Sequence, residues 1–70
     1  MNRTGSAIRK IREQKGLTQD QLAVKCQLLE WNISRGTLAK IESRVRRMTD
    51  FEVELAAKAL GVEISELYKS

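Results

Sequence analysis

Apolar residues in this chain recur at helical spacing, and caps rather than strands interrupt them. Ile8 and Ile11 mark a first helix that Thr4 or Ser6 can cap and Gly16 can stop, because glycine takes up the left-handed conformation that ends a helix. Leu17 follows as a hydrophobic anchor. Thr18 to Gln21 reads as a capping box, Thr18 bonding forward and Gln21 reaching back. It opens a second helix whose Leu22, Ala23, Cys26 and Leu29 share a stripe. Glu30 to Ile33 holds neither Gly nor Pro to mark a tight turn. Ser34 is a good N-cap for a third helix, expected over about 35–44, in which Leu38, Ile41 and Val45 lie on one side. A basic connector, 45–48, leads to a second capping box formed by Thr49 and Glu52. The fourth helix carries Phe51, Leu55, Ala56, Ala59 and Leu60, apolar over more than half its surface as a buried helix should be. Gly61 ends it, and a last short helical turn contributes Ile64 and Leu67 to the core. No segment alternates apolar and polar residues convincingly, and proline, repeats and low-complexity tracts are absent. The pattern predicts an all-α fold of five short helices.

Composition narrows the class. The 70 residues, 41% hydrophobic and 31% charged, are expected to form one domain over 1–70, near the lower size at which a core holds without staples. Apolar runs are too short to span a bilayer, and the first seven residues lack the apolar stretch of a signal peptide, so a cytoplasmic address is expected. Cys26 is the only cysteine and falls on the buried stripe, which suits packing in a reducing compartment. With no histidine there is neither a nucleophile–base pair nor a zinc site. A non-enzyme without cofactor or metal is expected.

The third helix is unusual on its other side. Gly36, Ala39 and Ser43 are small, and Arg35, Lys40 and Arg44 bracket them. Small residues let a backbone lie close to another surface, and cations favour a polyanionic one. A helix in the DNA major groove needs both; a solvated helix with poor surface residues is the plain alternative. The charge distribution supports the first reading. Residues 1–15 hold five cations against Glu13, residues 35–47 hold five against Glu42, and the remainder is net acidic within an overall +4.

Three motifs in order carry a family resemblance: Leu17-Thr18-Gln19-x-x-Leu22-Ala23, then Ile33 to Glu42, then Ala56-x-x-Ala59-Leu60-Gly61-Val62 with Leu67. Over roughly residues 6–68 the chain resembles the phage Cro/repressor (XRE-type) helix-turn-helix family. The resemblance implies a compact five-helix, lambda-repressor-like domain in which helix two braces the DNA backbone and helix three enters the major groove. It implies that Gln19 touches a phosphate at the positive helix end. Ser34, Arg35, Gly36, Thr37 and Lys40 then face bases or nearby phosphates, with Arg44 an added cation. Arg46 and Arg47 sit in the connector that grips the sugar–phosphate backbone, and Arg12 and Glu42 match an ion pair joining helices one and three. Arg35 stands at the helix entrance, where a guanidinium can bond two acceptors on guanine. Gly36 is explained equally well by closeness to the N-cap and by closeness to DNA.

The chain departs from the family pattern in the stretch between Thr18 and Glu42, which is several residues longer than usual. Gln27 stands where a glycine commonly ends helix two, so that helix is expected to run on through Leu28. Arg44 replaces the glycine that usually follows helix three, leaving Ser43 or Arg44 to end it. Trp31, just past helix two, either folds back as a lid over Leu29 and Ile33 or projects as an anchor for a second protein; the lid is preferred because those residues need cover. The expected function is a sequence-specific, repressor-like regulator of double-stranded DNA acting as a homodimer, with Val62, Leu67 and Tyr68 as the candidate dimer surface. The competing class is a protein-interaction module of the same fold, antitoxin-like or coactivator-like, with a partner bound through Trp31 or the C-terminal region.

Overall fold

A computed structural model describes residues 3–43 and 46–68 and places five α-helices in them: α1 (Arg3–Gln14), α2 (Gln19–Leu28), α3 (Arg35–Glu42), α4 (Asp50–Leu60) and α5 (Ile64–Tyr68). The all-α architecture is the one that the apolar spacing predicts. α1 packs on α3, α4 and α5, α2 on α3 and α4, and α4 on α5. Ile8, Leu22, Leu38, Ile41, Leu67 and Cys26 are the largest wholly buried side chains, so α1, α2, α3 and α5 all feed one core. Burial pushes the Cys26 thiol up to about 11, leaving it a protonated packing group at neutral pH.

Both capping boxes form. Thr18 accepts from Gln21 N while the Gln21 side chain accepts from Thr18 N, and Thr49 and Glu52 repeat the arrangement at α4. Ser34 caps α3 by accepting from Thr37 N at 3.1 Å. Other expectations need correction. α1 begins at Arg3, so Thr4 and Ser6 lie inside it rather than capping it; Thr4 and Gly5 are buried, and packing carries the helix past its local start signal. α3 stops at Glu42 with Ser43 as its C-cap, and Val45 lies outside the described residues. In α4 the inward face is Val53, Ala56, Ala57 and Leu60, while Phe51, in the first turn, is 67% exposed. Leu29 is only half-buried, because it ends α2 rather than continuing its stripe.

Three helices end in the same way. After α1, Gly16 N donates to Glu13 O and Leu17 N to Arg12 O; after α4, Gly61 N donates to Lys58 O and Val62 N to Ala57 O. After α2, Glu30 N donates to Gln27 O and Trp31 N to Cys26 O. Each is a Schellman turn, and the apolar residue just past it packs back on the helix it closes. Leu17, Trp31 and Val62 are these residues, and all three are partly buried against the core. The turn therefore brings Trp31 back to lie partly buried against the core. Gln27 anchors the following connector by donating from Nε2 to Ile33 O at 2.9 Å.

The left-handed position falls to glycine at Gly16 and Gly61 but to Glu30 (φ 64°) after α2. An L side chain there costs about 1–2 kcal/mol, and glycine's greater freedom in the unfolded chain takes back about 0.5–1. Glu30→Gly is therefore expected to stabilise the fold by about 0.5–1 kcal/mol, read as a higher urea midpoint at unchanged slope. A lower midpoint would show that the Glu30 side chain supplies more than its backbone strain takes away.

Candidate nucleic-acid interface

The placement of α3 rests on one buried ion pair. Arg12 of α1 and Glu42 of α3, 30 positions apart, meet through Nε to Oε2 at 2.7 Å and Nη2 to Oε1 at 3.1 Å. The Arg12 side chain is 10% exposed and that of Glu42 2%. Two further bonds extend the pair: Arg12 Nη1 donates to Leu17 O at 2.6 Å, and Gln19 Nε2 donates to Glu42 Oε1 at 3.1 Å. Fork and carboxylate thus tie together α1, the turn after it, the start of α2 and the end of α3. The hydrogen bond to Glu42 raises the Arg12 pKa against the opposing effect of burial, with the charges of Glu42 and Glu13 adding to the rise. The first residue of α2 therefore lends to the pair its side-chain amide, which is held inside the fold by Glu42.

With Leu38, Ile41 and Glu42 turned inward, α3 presents Arg35, Gly36, Lys40 and Ser43 to solvent, flanked by the half-buried Thr37 and Ala39. The small-residue face read from the sequence is thus the outer face. Ser34 and Thr37 share their hydroxyls at 3.1 Å. A Cβ added at Gly36 would meet nothing closer than Ser34 Oγ at 3.8 Å. The fold has room for a larger residue there and does not itself require glycine. Arg35 lies beside the start of α2, its Nε 3.9 Å from Oδ1 of Asp20. Sequence reasoning passed over Asp20, whose only local signal is an acid in the first turn of a helix.

The connector divides its cations. Arg46 Nη2 bonds Oε2 of Glu52 at 2.9 Å, and Arg46 N donates to Lys40 O, so this arginine ties the connector to both neighbouring helices. Arg47 is exposed, with no ion pair among the described residues, and Arg44 lies outside them. Burial pushes the Glu52 carboxyl up, but the hydrogen bond and charge of Arg46 and the bonds from Thr49 outweigh it and hold it below its ordinary value. The expected C-terminal dimer surface needs correction: Leu67 is wholly buried and Val62 packs against the core, so of the three only Tyr68 is exposed. The wide apolar exposures are at Val24, Leu28, Phe51 and Tyr68.

A family model described as Helix-turn-helix matches residues 8–67. No curated protein and no solved structure matches the chain. Among the described residues no helix is long and apolar enough to cross a membrane.

Two measurements follow from the ion pairs. Removing one partner of a buried pair costs about 3–5 kcal/mol, against about 0–1 for an exposed one. A double-mutant cycle of Arg12→Met and Glu42→Leu is expected to show large coupling, with the double variant more stable than either single one. Additive losses would mean that the two side chains act independently. For Glu52, the depressed pKa means that the unfolded chain binds the extra proton, so its contribution is present at neutral pH and lost as pH falls below about 4.5. Glu52→Gln should lower stability at pH 7 and flatten the acid limb of the pH–stability curve. A limb as steep as in the parent chain would assign acid sensitivity to other carboxylates.

Proposed function

Since this chain belongs to the helix-turn-helix family of DNA-binding transcription regulators, we propose that it reads a specific duplex sequence by laying α3 in the major groove. The observation that carries this reading is Gly36. It stands on the exposed face of α3 between Arg35 and Lys40, in a place where the fold itself would accept a larger side chain. Glycine costs a helix stability, less so in the first turn where Gly36 lies, and its use on this open face fits close approach to a surface outside the molecule.

The roles divide by geometry. Arg35 at the N-terminus of α3 is the candidate base reader, its fork matched to guanine O6 and N7. Ser34, Thr37 and Lys40 border it and suit phosphates or base edges. Gln19 reaches a phosphate through the amide end of α2, its side chain being held by Glu42. Arg47, Arg44 and, once released from Glu52, Arg46 serve the backbone, with the first the freest of the described ones. The regulator is repressor-like and cytoplasmic, and a homodimer places two reading helices about 34–36 Å apart on a near-palindrome.

Gly36→Ala separates fold from binding. It should raise stability by up to about 1 kcal/mol and weaken binding to a duplex selected from a random pool. Arg35→Ala should cost about 1–3 kcal/mol on that duplex and relax preference at one base pair, whereas Arg47→Ala should weaken all duplexes alike and lower the salt slope by about one. Unchanged affinity in Gly36→Ala would remove close approach at that residue, and equal loss on specific and random DNA in Arg35→Ala would remove its base-reading role.

A further inference from the structure

Arg35 is poorly placed for a cation by its own helix. It is the first residue of α3, where the amide end of the helix dipole repels positive charge. The neighbouring α2 supplies the compensation. Asp20 lies in the first turn of α2, where the same dipole effect favours a carboxylate. Its Oδ1 faces the Nε edge of Arg35 at 3.9 Å, and both side chains are largely exposed, at 74% and 66%. Gln19, next to Asp20, is bound to Glu42 at the far end of α3, so the two helices hold a fixed relation on either side of this contact. Glu42 is spent on Arg12 and Gln19, which leaves Asp20 as the one acid in the first turns of α2 and α3.

We propose that Asp20 is a positioning residue for Arg35, an inference that rests on the DNA reading above. A carboxylate at the Nε edge restrains the guanidinium and leaves its two terminal nitrogens as a free fork, the shape that matches guanine O6 and N7. The same charge discriminates against wrong sites. Where no guanine satisfies Arg35, the guanidinium would otherwise turn to a phosphate, and Asp20 both holds it back and repels that phosphate. Exposed pairs are weak in water, but docking removes water from this one and strengthens both effects. Asp20 thus lowers affinity for random DNA and raises selectivity at a single base pair.

The test uses the full chain and a duplex selected with it from a random pool, alongside the same duplex with the Arg35-dependent guanine changed to adenine, and random duplex. Asp20→Asn keeps size and removes charge. It is expected to reduce discrimination between the two defined duplexes about fivefold and to tighten binding to random duplex. In an Arg35→Ala background the same substitution should leave discrimination unchanged. Circular dichroism of each variant at the assay temperature verifies that it is folded. Undiminished discrimination in Asp20→Asn, or an equal loss with and without Arg35, overturns the positioning role and leaves the DNA reading standing. Selection that yields no preferred duplex overturns both.

Discussion

Everything on the outer face of α3 depends on a charge that is not on that face. Glu42 is turned inward at the end of α3, and Arg12 meets it from α1 with two bonds. A buried pair of this kind contributes little net stability compared with apolar residues of the same volume, but separating its partners strands a buried charge and is costly. The group also bonds two neighbours that matter for the site: the carbonyl of Leu17, which fixes the turn into α2, and the amide of Gln19, which fixes its first residue. The pair therefore sets the angle and rotation at which α3 is offered. With Leu38 and Ile41 also buried, the helix has no freedom to show a different side.

The connectors are placed by how helices end. Each Schellman turn sends the chain back across the helix it has just left and buries the next apolar residue, so Leu17, Trp31 and Val62 act as equivalent anchors. This accounts for the long path between α2 and α3 without any tight loop. Trp31 closes one end, Gln27 holds Ile33 O, Ile33 enters the core, and Ser34 is delivered as a cap at the start of the next helix. Glu30 bears backbone strain to make that turn.

The cations, similar in sequence, have unlike duties in space. Arg12 is a core residue. Arg46 joins the connector to α4 through Glu52, whose carboxylate also completes a capping box. Of the described cations of α3 and the connector, Arg35 (beside Asp20), Lys40 and Arg47 stand in solvent, where they can meet an external polyanion. A net charge counts all of them equally; only burial and partners separate the structural ones from those available for binding.

The sequence determined by itself whatever is local. The helix starts at Thr18, Ser34 and Thr49 and the stops at Gly16 and Gly61 follow from hydrogen bonds spanning three to five residues, which the side chains announce directly. The outer face of α3 was equally legible, because a 3.6-residue period sorts Leu38 and Ile41 from Gly36 and Lys40. Arg12 and Glu42 were legible only through a family resemblance, since no local rule joins residues 30 positions apart. Tertiary structure alone decided the rest. It carried α1 past Thr4 by burying its first turn, and turned Phe51 outward and Val53 inward. It also put Asp20 beside Arg35 and gave the left-handed turn after α2 to Glu30, a residue with no local preference for it. These outcomes depend on which helix packs against which, and packing energy summed over a core outweighs the fraction of a kcal/mol that any one local signal supplies.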